Sequence, residues 1–246
     1  MQAVLVAGGL GTRAQPYLGP DRPKILADIG GQPFLQVQLA RLAALGATRV
    51  HLCLGFGAAM VMDALAALNR GSDGSLPMPT TSTIEDRPLG VIGALHHAVA
   101  HLEDRFVLVY GDVLPMAPFK SLVATSQTMR VPAVMAVCPA TRCGNVMIRG
   151  GLVSMYEKSA VGNLLDAGQT LLSKELLQSH PQAVHEQELY RAMANDHALA
   201  AFRLHSAVHD IGDPASYAAF LRHVREGGGQ CFGSSLAGDG VAGDIF

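Results

Sequence analysis

The chain has 246 residues, 49% apolar and 15% charged, with a formal net charge of −2. A chain this long buries roughly 70 to 75% of the surface it exposes when unfolded, so it needs neither disulfides nor a structural metal to fold. The near-neutral balance excludes the electrostatic footprint of a nucleic-acid or anionic-membrane binder, and the expected partners are small molecules or proteins.

Strand-like apolar runs fall at residues 3–7, 49–54, 80–85, 106–110, 133–137, 145–149 and 152–156, and helical periodicity at 33–45, 57–68, 90–101 and 118–129. That alternation predicts an α/β fold with one sheet covered on both faces. The Gly-Gly pair at 150–151 lies between two β-type runs and predicts an antiparallel hairpin, so the sheet is expected to be mixed. From residue 173 the pattern is helical to 195, then strand-like at 198–204 and 207–212, then helical at 214–226. Residues 1–226 read as a single domain. Residues 227–246 are rich in Gly and Ser and read as a flexible tail, whose few apolar residues leave room for a homodimer contact.

The first apolar run is too short for a signal peptide, and no run approaches the roughly 18 residues of a membrane span. Cys53, Cys138, Cys143 and Cys231 contain no CxxC pair, so four reduced thiols in the cytoplasm are expected. The adjacent His96 and His97 cannot share a helical face and are read as helix surface and core, not as a metal pair.

The strongest signal is "LVAGGLGTRAQPYLGPDRPKIL". A strand ending in Gly8, Gly9 and Gly11 leaves backbone N–H groups unshielded by Cβ atoms, a cradle for phosphate or base. The run fits the degenerate dinucleotide fingerprint, but Pro16, Gly19, Pro20 and Pro23 exclude the helix which that fingerprint requires. The GK(S/T) of a P-loop is absent. Arg13 and Lys24 are two cations beyond a glycine turn, and they suit a polyphosphate because Arg forks two oxygens while Lys supplies a compact charge. Asp112 and Asp210 each follow a strand-like run and are expected at the carboxyl edge of one sheet, where two carboxylates suit a Mg²⁺ that bridges substrate phosphates.

The "GGLGTR" at 8–13 and "PK" at 23–24 resemble the signature of the sugar-1-phosphate nucleotidyltransferases. "EDRPLGVIGAL" at 85–95, "VYGD" ending at Asp112, "CGNVMI", "YEKS", "DAG" at 166–168 and "HDIGDPASY" resemble further motifs of that family in the same order. Val91, Ile92, Cys143, Ser159 and Asp213 depart from it. The short heptose-1-phosphate and mannose-1-phosphate guanylyltransferase-like members are the most similar in pattern.

The resemblance implies a Rossmann-like three-layer α/β/α fold of the nucleotide-diphospho-sugar transferase type, with a mixed, mostly parallel central sheet. It implies transfer of a nucleoside monophosphate from an NTP to a sugar 1-phosphate, with Mg²⁺ as cofactor. Nucleotide contacts would come from Gly8, Gly9, Gly11, Thr12, Arg13, Glu85, Pro88 and Gly90. Arg13, Lys24 and Asp112 would be catalytic, and Asp112 and Asp210 would hold the metal. Gly144, Glu157 and Asp166 would hold the sugar and Lys158 its phosphate. The residues leave base and sugar open, with GTP and a heptose or mannose 1-phosphate as the pairing that the resemblance favours. The alternative is a catalytically idle relative that binds a nucleotide sugar.

Overall fold

The computed structural model describes residues 1–70, 76–157, 162–226 and 243–244. In chain order, β1 (Gln2–Ala7) leads through a one-turn helix α1 (Gln15–Leu18) to a two-residue hairpin, β2 (Asp28–Ile29) and β3 (Gln32–Pro33). Then follow α2 (Phe34–Ala44), β4 (Arg49–Leu54), α3 (Ala58–Asn69), β5 (Thr80–Ile84), α4 (Gly90–His97), β6 (Arg105–Tyr110) and α5 (Phe119–Met129). The second half holds β7 (Ala133–Gly144), β8 (Val146–Arg149), β9 (Leu152–Tyr156), β10 (Gly162–Ser173), α6 (Lys174–Ser179), α7 (Glu186–Asn195), β11 (Leu199–Leu204), α8 (Pro214–Arg225) and β12 (Gly243–Asp244).

Ten of these strands form one sheet in the order β12-β11-β9-β8-β10-β6-β1-β4-β5, with β7 paired to β10 and β11. The block β5-β4-β1-β6 is parallel, because each of its strands is reached through a helical crossover. The other half is largely antiparallel: β10 runs against β6, β7 and β8, β9 against β8 and β11, and β12 against β11. Only β7 and β11 pair in parallel there. The sheet is therefore mixed as expected but not mostly parallel. The reason is β10, a twelve-residue strand that follows the β8-β9 hairpin and pairs antiparallel with both β6 and β7.

Alternation along the strands sends successive side chains to opposite faces. Leu5, Leu52, Val107 and Val109 pack with Leu35, Leu39, Val61 and Phe119 of α2, α3 and α5 on one face. Val4, Cys53, Phe106 and Leu108 pack with Ile92, Leu95, Leu189 and Tyr190 of α4 and α7 on the other. Each layer is a closed apolar core, so the loops at the carboxyl ends of β1, β4 and β6 sit on a rigid base. A third cluster, with Ile29, Phe34, Leu114, Ile211 and Phe220, fastens α8 and the segment before it to the β2-β3 hairpin.

The Gly150-Gly151 turn joins β8 to β9 as the sequence predicts, with both φ angles positive (58° and 80°), the geometry of a type I′ hairpin. The predicted helical stretch 173–195 is two helices, α6 and α7, separated by a connection that contains Pro181. Residues 207–212 contribute only a bridge between Asp210 and Val113, not a strand. Of the glycine-rich tail, residues 243–244 are described, and they pair with Leu204 and Arg203. Among the described residues no helix is long and apolar enough to cross a membrane. Cys53, Cys138 and Cys143 are free thiols.

Candidate active site

The glycine turn holds its shape because other side chains occupy the space a Cβ would fill. A Cβ on Gly8 would stand 2.6 Å from Glu85 Oε1, and one on Gly55 would stand 2.7 Å from the same oxygen. The Glu85 carboxylate is thus slotted between two glycines. Its other oxygen accepts from Leu89 N at 3.3 Å, and burial raises its pKa. Gly11 sits in the left-handed region (φ 61°), and a Cβ there would press on Lys24 Cγ at 2.9 Å. The glycine that turns the chain therefore also lets the lysine stem lie across the turn. A Cβ on Gly9 would meet nothing within 4 Å, and Gly9 lines the cleft.

Thr12 and Arg13 lie in a 3₁₀ turn, closed by Ala14 N donating to Gly11 O at 2.8 Å. The prolines do not abolish helix there entirely. Pro16 falls in the first turn of α1, where its missing N–H costs nothing, and Gly19 (φ 84°) ends the helix after four residues.

Asp112 follows β6, and Asp210 precedes α8 on a segment running antiparallel to it. Ile211 N donates to Asp112 O at 2.8 Å and Leu114 N to His209 O at 2.8 Å. The Cβ position of Gly212 lies 3.0 Å from Asp210 Oδ1, 3.7 Å from Asp112 Oδ2 and 3.9 Å from Arg13 Nη2, which places all three charged groups around one point. Burial raises the Asp210 pKa, Gly212 N donating at 2.8 Å opposes the rise, and the Asp112 charge adds to it. Lys24 Nζ donates to Asp112 Oδ2 at 2.5 Å. Two hard oxygen donors from separate segments, beside two cations, fit a Mg²⁺ that keeps waters and phosphate oxygens as its other ligands. Among the described residues no group of three or more His, Cys, Asp or Glu converges to supply a full protein cage.

Gly9, Arg13, Lys24, Val91, Tyr110, Asp112 and Glu186 line one cavity of about 320 Å³. Gly8, Leu10, Gly55, Phe56, Glu85 and Pro88 line a second of about 220 Å³ on the other side of the glycine turn. Backbone N–H groups after Pro88 are partly engaged within the protein. Leu89 N is taken by Glu85, and Ile92 N and Gly93 N of α4 both donate to Val184 O, at 3.0 and 3.1 Å.

Beyond Tyr110, which lines the first cavity, side chains pair with one another. Asp166 Oδ2 accepts from Tyr110 OH (3.1 Å) and Tyr156 OH (3.3 Å), and its Oδ1 accepts from Gly168 N (2.9 Å). Burial nonetheless pushes its pKa up to about 6, with Glu186 adding to the rise and the hydrogen bonds opposing it. Asn145 ties this end together: its Oδ1 accepts from Asp166 N and its backbone carbonyl from Glu157 N, each at 2.9 Å. Glu157 accepts from Arg191 Nη2 and from Gln187 Nε2 (3.2 Å), both on α7. A Cβ on Gly144 would collide with Leu164 O at 1.9 Å, so β7 and β10 approach there as only glycine permits. Lys158 lies outside the described residues.

Several positioning groups gave no motif signal. Gln38, fully buried in α2, donates to Tyr110 O (3.2 Å) and Val113 O (2.9 Å), bracketing Asp112. Gln169, also fully buried, accepts from Met116 N (2.6 Å) and Ala117 N (2.7 Å). Tyr17 OH donates to Ile211 O while its ring stacks on Tyr217 at 4.2 Å, tying the Arg13 segment to the Asp210 segment. Burial and the nearby Asp112 charge raise the Tyr17 pKa, so the phenol remains a donor. Only the spacing of polar residues inside apolar runs could have pointed to the two glutamines.

A glycine turn with two cations, facing two carboxylates at the carboxyl edge of an α/β sheet, is the architecture of a nucleotidyltransferase. The chain belongs to the family of the MobA-like NTP transferase domain, whose model matches residues 3–207. It is 27% identical over 232 residues to a mannose-1-phosphate guanyltransferase of Schizosaccharomyces pombe, covering 88% of this chain and 62% of that protein. A probable mannose-1-phosphate guanylyltransferase 1 of Oryza sativa subsp. japonica is 28% identical over 237 residues, covering 90% of this chain and 64% of that one. The chain thus spans less than two thirds of the length of these relatives. The structure of HddC from Yersinia pseudotuberculosis superposes with a TM-score of 0.74 at 26% identity, covering 90% of this chain and 98% of that one. The same protein has been solved complexed with GMP-PN.

Proposed function

We propose that the protein transfers the nucleoside monophosphate of an NTP to a sugar 1-phosphate, with GTP and a mannose or heptose 1-phosphate as the favoured pair. The observation that carries this reading is the convergence of Arg13, Lys24, Asp112 and Asp210 on one cleft edge beside the open Cα of Gly9. The two helix layers flanking the sheet are read as the Rossmann-like three-layer arrangement of this class.

In the reaction an oxygen of the sugar phosphate attacks the α-phosphorus, a new P–O bond forms, the bond to the bridging α-β oxygen breaks, and diphosphate leaves. No covalent nucleophile is required, and the protein's part is positioning and charge neutralisation. Arg13 forks oxygens of the leaving β and γ phosphates. Lys24 leaves Asp112 for the phosphate oxygens at the reacting centre, because a dianionic phosphate offers it more charge than one carboxylate. Asp112 and Asp210 would hold Mg²⁺, which when bound supplies further neutralisation of the phosphates. Gly9 lets the triphosphate approach the backbone. The Glu85 carboxylate lines the second cavity, which we read as the base site, and as a pure acceptor it suits guanine, which offers a ring N–H and an exocyclic amine side by side, better than uracil or thymine with one N–H. Glu157 and Asp166 accept from sugar hydroxyls.

The test is product identification by mass spectrometry after incubating the full chain with Mg²⁺, each of the four common NTPs, and a panel of hexose and heptose 1-phosphates. The expected product is a GDP-sugar. An NDP-sugar from none of the pairs overturns the reading in favour of an idle binding protein.

A further inference from the structure

We propose that Glu186 is a specificity-determining residue of this transferase, accepting hydrogen bonds from sugar hydroxyls remote from the phosphate. The proposal rests on the reading above and adds a sugar-facing wall to it. Glu186 opens α7, is half-buried, and lines the same cavity as Gly9, Arg13, Lys24, Tyr110 and Asp112.

Its position is set by two helices. The carbonyl of Val184, two residues earlier, caps the start of α4, and a Cβ on Gly90 would stand 2.7 Å from that oxygen. A capping box between His185 and Glu188 fixes the first turn of α7. On the adjoining face of the helix Gln187 and Arg191 hold Glu157, so α7 presents one carboxylate to the cleft and fixes a second. Glu186 shares its cavity with Tyr110, whose hydroxyl donates to Asp166, and this places it toward the Asp166 end.

With Asp112 and Asp210 neutralised by the Mg²⁺ they would hold, the cleft is polarised, with the cations Arg13 and Lys24 at one end and acceptors at the other. A sugar 1-phosphate carries a dianion at one end and neutral hydroxyl donors elsewhere. Carboxylates repel the first and accept from the second, so the ligand fits one way round. A carboxylate in the first turn also complements the helix dipole, a structural role that would appear in stability and not in substrate selection.

The test is Glu186→Gln in the full chain, with KM for sugar phosphate and for GTP, kcat and melting temperature measured beside the wild type. Loss of a charged acceptor predicts a sugar-phosphate KM raised about 10- to 100-fold, with GTP KM and melting temperature unchanged. Deoxy analogues of the sugar phosphate locate the partner: with the analogue lacking it, wild type and variant should have equal KM. Glu186→Asp, which keeps the charge, should recover part of the affinity, and it serves as the readout if the Gln variant does not fold. An unchanged sugar-phosphate KM, or equal rises for both substrates, overturns the assignment while the transferase reading stands. A wild type that makes no NDP-sugar overturns both.

Discussion

The two ends of the cleft, which we read as a phosphate end and a sugar end, are built by different means. The phosphate end consists of open backbone and charge: Gly9 with open space over its Cα, Lys24 lying over Gly11 and paired with Asp112, and Asp210 bridged to Val113 beside them. The sugar end consists of side chains paired with one another, with Asp166 accepting from two tyrosines, Asn145 holding both Asp166 and Glu157, and α7 behind them. Polyphosphate is strongly charged and needs access and neutralisation, so the first end offers open backbone beside cations. Hydroxyls are weak partners that must be aimed at, so the second end fixes its acceptors with neighbouring donors. The consequence is that substitutions at the first end should alter rate and nucleotide affinity, whereas those that unpair Asp166 at the second should also alter stability.

The largest effect is expected at the carboxylate pair. Asp112→Asn and Asp210→Asn should each lower kcat by about 100- to 1000-fold, the usual loss when a group supporting transition-state charge is removed. Melting temperatures should stay near wild type, since both groups are only partly buried. A variant of either kind with wild-type turnover at saturating Mg²⁺ would remove the carboxylates from the chemistry.

Asp166 gives the next largest effect, on stability. Its folded-state pKa near 6 lies above the ordinary 3.8, so the folded protein is penalised while this group is ionised and is relieved as pH falls from about 7 towards 4. A shift of that size corresponds to up to about 3 kcal/mol. His51 works in the opposite sense. Fully buried, bonded to Thr81 (2.9 Å) and Thr83 (3.2 Å) and stacked on His101, it is pushed down to about 4 by burial, and it costs stability as pH falls from 6.5 towards 4. The wild-type profile between pH 8 and 5 should therefore be shallow, and Asp166→Asn should unmask a steeper loss of stability on acidification. Parallel denaturation curves for the two proteins across that range would refute the assignment.

Neighbouring glycines at the phosphate end sharpen the contrast. A Cβ on Gly9 meets no protein atom, whereas one on Gly8 meets Glu85 Oε1 at 2.6 Å. Gly9→Val should keep the melting temperature and weaken GTP binding by roughly 10- to 100-fold through overpacking against the ligand. Gly8→Val should lose stability instead, and calorimetry on both variants distinguishes the two. The smallest effect is expected for Tyr17→Phe, which keeps the stack on Tyr217 and loses the bond to Ile211 O. One hydrogen bond contributes about 1 kcal/mol, so kcat should fall about fivefold, with KM for the sugar phosphate unchanged.

The phosphate end was legible in the sequence because its determinants are local. A left-handed glycine, a lysine that must cross it and an aspartate at a strand end each announce themselves within a few residues. The sugar end was legible only through the resemblance, and incompletely. Residues 162–173 form β10, yet Gly168 at φ 71° and the register shift between Asp166 and Thr170 break the alternation that would have marked a strand. The apolar runs therefore give no strand at β10, whose antiparallel pairing departs from the mostly parallel sheet that the resemblance implies. Glu186 had no signal at all, since an acidic residue in a helix's first turn is ordinary and its place in the cleft follows from the docking of α7 on α4. Gln38 and Gln169 likewise act only through backbone groups that folding brings to them.

The central claim is that a nucleotide held at one end is joined to a sugar phosphate held at the other. Its most direct test follows the label from GTP carrying radioactive phosphorus at the α or the γ position, with Mg²⁺ and mannose 1-phosphate. The account predicts α label in a nucleotide sugar and γ label in diphosphate, both dependent on the sugar phosphate and both lost in Asp112→Asn. Label from the γ position on the sugar, or diphosphate released equally without sugar phosphate, would contradict it.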